Sequence, residues 1–196
     1  MSKSQSKPAL DGRHQRGERS RQSMVDAALD MLAEGNFAPT AQEIADRAGV
    51  GIRTLFRQFE GMDDLYGVID EQQRSYYAAK FTTGNREGSL DERILHAVEQ
   101  HAKAYEELEK TLLFARVQMW RSKVLRKNYE RANRNLRKDL DDWLPELSAL
   151  STSRRSAVDA VASFEMWNRL RELQKLDIAD SIKIVYDLLK GLIVES

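Results

Sequence analysis

The segment from Thr40 to Phe59, TAQEIADRAGVGIRTLFRQF, constrains the fold more than any other part of the chain. Thr40 and Glu43 have the spacing of a capping box at the start of a helix. Gly49 follows where that helix should end, because a positive φ is least costly for glycine. Apolar residues then recur at steps of three and four, which predicts a second helix beginning near Gly51. Two short helices joined by a glycine-containing turn form a helix-turn-helix.

The second helix of this motif is predicted to have a polar and basic outer face. The side chains left outward are those of Arg53, Thr54, Arg57 and Gln58. The second helix of a helix-turn-helix lies in the major groove of DNA, where such side chains contact phosphates and base edges. Thr40 and Gln42, near the start of the first helix, are predicted to bind phosphate close to the free N–H groups of that helix.

These residues resemble the DNA-binding motif of the TetR (tetracycline-repressor) family of bacterial regulators. The matching residues are Thr40, Ile44-Ala45, Ala48-Gly49-Val50, Thr54-Leu55-Phe56 and Phe59, together with the corner Gly35-Asn36-Phe37 and Leu65. The family pattern often has Ser where Gly51 stands, Tyr at Phe56 and Lys at Met62. The resemblance places Gly51 and Phe56 among the DNA-binding residues.

The resemblance also implies the architecture of the chain. The predicted fold is all-α, with an amino-terminal three-helix DNA-binding domain and a carboxyl-terminal helical bundle for dimerisation and ligand binding. The predicted division is a basic flexible arm over residues 1–18, the helix-turn-helix domain over 19–61 and the helical domain over 62–196. The arm has two interpretations, a solvated tail or a segment that follows DNA into the minor groove or along phosphates.

The overall charge limits how DNA could be bound. The chain has 31 basic and 31 acidic residues, so any binding to DNA must come from a local basic face. The absence of cysteine excludes disulfides and thiolate metal sites. No apolar run approaches the length of a membrane span, and the amino terminus lacks the apolar stretch of a signal peptide. A cytoplasmic, nucleoid-associated protein without a membrane partner is expected.

Beyond the motif, apolar periodicity predicts further helices. The first helix is predicted at Ser20–Ala33, with Phe37 packing into a core with Ile44, Val50, Leu55 and Phe59. Later helices are predicted at about 62–81, 89–108, 110–122, 123–144, 152–174 and 178–193. The last two have apolar coverage wider than one core contact requires. They predict a homodimer through residues of about 152–193, as the resemblance also implies.

Basic residues recur from Arg121 to Lys138 with few acidic neighbours. A second nucleic-acid face and an ordinary solvated helix face are both open interpretations of this run. His96 and His101 do not share a helix face, so no metal site is predicted.

By resemblance, an unidentified small-molecule effector would bind within the carboxyl-terminal helices. The candidate ligand-binding residues are His101, Tyr105, Phe114, Gln118, Trp120, Trp143, Trp167 and Asn168. Plain core packing is the competing interpretation for each aromatic residue. No nucleophile–base set, phosphate loop or metal spacing occurs, so neither an enzyme nor a cofactor is predicted.

The sequence therefore predicts a DNA-binding transcriptional regulator, a repressor that binds a palindromic operator as a homodimer and responds to an effector. The alternative is a helical protein–protein interaction module that has lost specific DNA binding. The departures at Gly51, Phe56 and Met62 support that alternative.

Overall fold

The computed structural model describes residues 9–194, and this part of the chain consists of helices joined by turns. The helices are α1 (Ala9–Ala33), α2 (Ala41–Arg47), α3 (Ile52–Gln58), α4 (Met62–Phe81), α5 (Leu90–Gln118), α6 (Lys123–Trp143), α7 (Thr152–Val161), α8 (Phe164–Asn168) and α9 (Ile178–Val194). A 3₁₀ turn, Pro145–Ala149, lies between α6 and α7. The predicted all-α fold class is confirmed.

Two helices extend further than predicted. Helix α1 begins at Ala9 instead of Ser20, so the described part of the predicted arm is helical, and the rest of the arm lies outside the described residues. Helix α5 is continuous where two helices had been predicted. It contains neither glycine nor proline, so nothing in its backbone interrupts the hydrogen-bond ladder near Leu108.

The predicted helix over 152–174 is instead divided. Helix α7 ends at Val161, and the Ser163 hydroxyl accepts a hydrogen bond from the backbone N–H of Met166 (3.2 Å), which starts α8. Helix α8 continues into a π-helical segment, Arg169–Leu173. A serine in this position satisfies the free N–H groups of a new helix, and helical spacing of apolar residues does not reveal such a break.

The chain forms two compact units. The first unit holds the described residues up to Gln72 together with Leu113–Lys127, and the second holds Gln73–Leu112 and the described residues from Asn128 onward. The main core of the first unit comes from α1, α2, α3 and the start of α4. It consists of Met24, Val25, Ala27, Ala28, Met31, Ile44, Ala45, Leu55, Phe59 and Leu65.

A smaller cluster in the first unit joins Leu32, Tyr66, Phe114 and Leu125. The rings of Tyr66 and Phe114 meet edge to face, with centroids 5.3 Å apart. Burial raises the pKa of Tyr66 to about 12, so this residue stays neutral. Phe37 packs on this cluster, which corrects its predicted place beside Ile44 and Phe59.

The core of the second unit surrounds Tyr105. Its ring meets those of Phe81, Phe164 and Trp167 at centroid distances of 5.6, 5.7 and 6.5 Å. The Tyr105 hydroxyl donates to the backbone oxygen of Ala162 (2.7 Å). Burial raises the pKa of Tyr105, so the hydroxyl remains a donor. Within residues 9–194, none of the helices combines the length and the apolar character that a membrane span requires.

Candidate nucleic-acid interface

The capping box predicted at the start of α2 is confirmed. The Thr40 hydroxyl oxygen accepts from the backbone N–H of Glu43 (3.2 Å), and the Glu43 carboxylate accepts from the Thr40 backbone N–H (2.7 Å). Two hydrogen bonds lower the pKa of Glu43: the larger effect comes from the Thr40 backbone N–H and the smaller from the Thr40 side chain. The Thr40 hydroxyl also donates to this carboxylate (2.8 Å). Both donors of Thr40 are therefore engaged inside the motif.

The turn between α2 and α3 depends on Gly49, whose φ is +68°. The N–H of Val50 donates back to Ala45 (2.9 Å), which closes the end of α2. Val50 then packs against the main core of the first unit. Gly51 is the N-cap of α3 and has no side chain to cap it.

Helix α3 has one anchored side and one open side. Leu55 is fully buried, and Phe59, directly after the helix, is 1% exposed. The open side carries Arg53, Thr54, Phe56 and Arg57. Their side chains form no hydrogen bond or ion pair with any described residue, and Phe56 is 54% exposed.

Arg21 on α1 holds the carboxyl-terminal end of α3. Its guanidinium donates to the backbone oxygen of Gln58 and lies over the Phe59 ring, 4.3 Å from the centroid. The side-chain nitrogen of Gln58 lies 3.5 Å from the position that a Cβ would take at Gly17. Sequence spacing did not identify Arg21, because a contact between two helices leaves no periodic signal in either one.

The other polar side chains of the motif already have partners. The Gln42 side chain donates to Asp46 (2.7 Å). Arg47 donates to both carboxylate oxygens of Glu34, at 2.8 and 2.6 Å, and this hydrogen bonding lowers the pKa of Glu34. Of the residues predicted to bind DNA, Thr40 and Gln42 are thus engaged within the chain.

The second unit contains a small cavity. Its volume is about 20 Å³, roughly the space of one water molecule. Three predicted ligand-binding residues line it, His101, Tyr105 and Trp167. The wall is otherwise mainly apolar, with Ser163 adding a hydroxyl.

A buried ionic network stands behind one wall of this cavity. His101 Nε2 lies 2.9 Å from Asp139 Oδ2, and Arg86 donates to the other carboxylate oxygen (2.5 Å). His101 and Asp139 are 4% and 6% exposed. The Arg86 guanidinium also lies over the Trp143 ring, 5.1 Å from its centroid.

The other five predicted ligand-binding residues do not line the cavity. Trp143 and Asn168 are in the second unit but away from the lining; Trp143 Nε1 and Asn168 Oδ1 are buried without a hydrogen-bond partner among the described residues. Phe114, Gln118 and Trp120 belong to the first unit. Phe114 packs in its small cluster, Gln118 donates to the backbone oxygen of Phe37 (2.7 Å), and Trp120 is 76% exposed. These three residues lie at or just beyond the carboxyl-terminal end of α5, which belongs to the first unit.

No group of three His, Cys, Asp or Glu residues in the described part of the chain could hold a metal ion. The model for bacterial regulatory proteins of the tetR family matches residues 24–69. Among curated proteins, none matches this sequence.

Three solved structures share the fold at low sequence identity. A transcriptional regulator from Rhodococcus sp. Rha1 is 16% identical, with a TM-score of 0.61 over 91% of this chain and 96% of its own. The fatty acid degradation regulator FadR from Bacillus halodurans is 21% identical, with a TM-score of 0.60 over 88% and 95%. A TetR transcriptional regulator from Rhodococcus sp. RHA1 is 17% identical, with a TM-score of 0.53 over 90% and 97%.

Proposed function

We propose that this chain, which carries the amino-terminal domain of the bacterial regulatory proteins of the tetR family, is a transcriptional regulator that binds duplex DNA through α3. The observation that carries the proposal is the open side of α3. The side chains of Arg53, Thr54, Phe56 and Arg57 form no hydrogen bond or ion pair in the described part of the chain, while the opposite side is anchored by Leu55. A helix that is anchored on one side and presents unpaired guanidinium groups on the other is suited to phosphates and base edges.

The remaining predicted contacts have different roles in the proposal. Gly51 has no atoms within 4 Å of the position of a Cβ, so a DNA backbone has room to approach the start of α3. Gln58 lies at the far end of the same helix. Thr40 and Gln42 are proposed as phosphate contacts. To bind phosphate, the Thr40 hydroxyl has to leave Glu43 and the Gln42 side chain has to leave Asp46.

A homodimer is proposed because α9 has two apolar sides. One side is buried, with Val185, Leu189 and Ile193 among its residues. On the other side Leu188 is 42% exposed, and Ile184 is half-buried one turn before it. A two-fold pair of reading helices requires half-sites about 34 Å apart or a multiple of this distance, and therefore a palindromic operator.

Effector control is proposed through the cavity beside His101. The cavity volume of about 20 Å³ is far below that of sites for small organic ligands. An effector would therefore bind an opened form of the second unit, and repression would end if the opened form binds DNA less tightly. Regulators of this kind are typically not enzymes, and we assign no catalysis. The proposed location is cytoplasmic, at the nucleoid.

The test is DNA binding measured as a function of salt. Duplexes selected from a random pool are titrated with the protein by fluorescence anisotropy at about 50–200 mM salt, the range over which phosphate contacts weaken steeply. Arg53→Ala and Arg57→Ala are each expected to weaken binding by about 1–3 kcal/mol for a base contact, or to reduce the salt slope by about one for a phosphate contact.

The matched control is Arg134→Ala, which removes the same charge from an exposed position on α6 in the second unit. Its affinity should equal that of the unmodified protein. If the unmodified protein binds no duplex even at low salt, the alternative function, a helical interaction module, is favoured. Met62 and Phe56, where the family pattern has Lys and Tyr, support that alternative.

A further inference from the structure

The corner between α5 and α6 is a strongly basic part of the first unit. We name residues 113–127 the α5–α6 corner. The cations in this segment are Arg116, Arg121, Lys123, Arg126 and Lys127, and the segment contains no Asp or Glu. All five are exposed. The Arg126 side chain donates to the backbone oxygen of Met119 (3.4 Å), and the side chains of the other four form no hydrogen bond or ion pair with the residues that the structure describes.

The α5–α6 corner is held firmly in the first unit. Phe114 and Leu125 are buried in the small cluster with Leu32 and Tyr66. Ser122 is 2% exposed, and its hydroxyl accepts from the backbone N–H of Leu125 (3.1 Å). The cations therefore project from a backbone that is already fixed, so binding a partner has to order only their side chains and not the backbone that carries them.

A hydrogen bond joins the α5–α6 corner to the residues just before the helix-turn-helix. The Gln118 side chain donates to the backbone oxygen of Phe37 (2.7 Å), and Phe37 precedes the α2 N-cap, Thr40, by three residues. Three residues of chain span at most about 11 Å. The corner therefore borders the part of the motif that is proposed to contact phosphate.

A large apolar side chain stands among these charges. Trp120 is 76% exposed and Val117, one turn earlier, is 51% exposed. An apolar partner would bury the surrounding cations without compensation, which is costly. An anionic partner neutralises them, and the indole ring then packs against its surface while the Nε1–H donates a hydrogen bond.

We propose that the α5–α6 corner is a second DNA-contacting surface, which binds the phosphate backbone of duplex DNA flanking the half-site held by α3. The proposal rests on the proposed function, because α3 brings the duplex to the first unit. Each phosphate contact releases condensed counterions. Flanking DNA is thus bound without regard to its sequence, and affinity increases with duplex length.

The test compares two duplexes with the same selected centre. The short duplex ends at the outer edges of the half-sites, and the long duplex continues for about one helical turn on each side, or about 10 base pairs. The full chain is compared with the triple variant Arg121→Gln, Lys123→Gln, Lys127→Gln. The matched control is Arg134→Gln, Lys138→Gln, Arg169→Gln, three exposed cations of the second unit.

The corner variant is expected to bind the long duplex about tenfold more weakly than the unmodified chain, with a salt slope smaller by about two to three. Its affinity for the short duplex, and the affinity of the control variant for both, should be unchanged. The fluorescence of Trp120 is obtained as the part of the signal that Trp120→Phe removes. Its quenching by acrylamide should decrease when the long duplex binds, but not when the short duplex binds.

Several outcomes would overturn the proposal. Equal affinity of the unmodified chain for both duplexes, or an unaffected corner variant, would leave the corner a solvated surface. Equal loss on both duplexes would place the cations inside the half-site. Corner-dependent binding to vesicles of phosphatidylserine and phosphatidylcholine, without a length effect on DNA, would assign the surface to an anionic membrane. Failure of the proposed function itself would appear as no binding of the unmodified chain to either duplex.

Discussion

Among single residues, Gly49 has the most direct influence on the shape of the helix-turn-helix. Its φ of +68° lies in the left-handed region, and no atom lies within 4 Å of the position of a Cβ. A side chain at this position would therefore destabilise the fold only through the unfavourable backbone conformation and not through a steric clash. Gly49→Ala is expected to lower the free energy of unfolding by about 1 kcal/mol, as measured by urea denaturation without DNA. An unchanged midpoint would show that the turn does not hold this conformation.

Gly51, only two residues later, should respond in the opposite direction. Its φ of −73° and ψ of 147° suit any N-cap residue, and it provides no side-chain bond to α3. Gly51→Ser is expected to raise the free energy of unfolding by a few tenths of a kcal/mol, about 0.3, because the hydroxyl accepts from a free N–H group. Gly51→Ala supplies a Cβ without an acceptor. If urea denaturation finds the two variants equally stable, capping is not the cause.

Helix boundaries could be predicted from the sequence where capping or turn residues next to the boundary determine them. The start of α2 followed from Thr40 and Glu43, and the α4 boundaries, Met62–Phe81, were also predicted. The break at Ser163 and the continuity of α5 were not. A serine on an apolar helix face looks the same whether it caps a new helix or lies within one. No glycine or proline lies near Leu108, and apolar spacing alone did not show that the helix continues through it.

At the same scale, an ionic contact joins α5 to α8 and the π-helical segment after it. Glu106 accepts from the Arg171 guanidinium (2.9 and 3.2 Å) and from Trp167 Nε1 (2.8 Å). The hydrogen bond from Arg171 is the main reason that the pKa of Glu106 is lowered from its ordinary value of 4.5. The carboxylate thus stabilises the fold above pH 4.5, and this stabilisation is lost as the pH falls through the lowered pKa.

Glu106→Gln should therefore lower the free energy of unfolding at pH 7 and make it less dependent on pH below about 4.5. Urea denaturation at a series of pH values from neutral to acid measures both effects. Glu99→Gln is the control on the same helix, since Glu99 is exposed and has no ion pair with a described residue. Parallel pH profiles for the unmodified chain and Glu106→Gln would contradict the assignment.

For the whole molecule, the two candidate sites differed in how far sequence alone could locate them. The open side of α3 was predictable because Arg53, Thr54 and Arg57 lie opposite Leu55 on one short helix. The cavity depends on the assignment of α5 residues to units, with Tyr105 in the second unit and Phe114 in the first. Periodicity identifies the face of a helix on which a residue lies. It does not show which neighbours that face meets after the chain folds.

The proposed dimer is a property of the whole molecule that a single charge should test. Leu188→Glu places a carboxylate on the exposed apolar side of α9, where a partner would have to bury it without a counter-ion. Ala179→Glu adds the same charge at an exposed position about two and a half turns earlier, on the opposite side of the helix. Light scattering should find the first variant monomeric and the second dimeric.

Leu188→Glu should also lose affinity for a duplex with two half-sites by more than about tenfold, while its weak binding to one half-site is unchanged. Dimers of Leu188→Glu, or monomers of both variants, would show that this side of α9 does not join two copies.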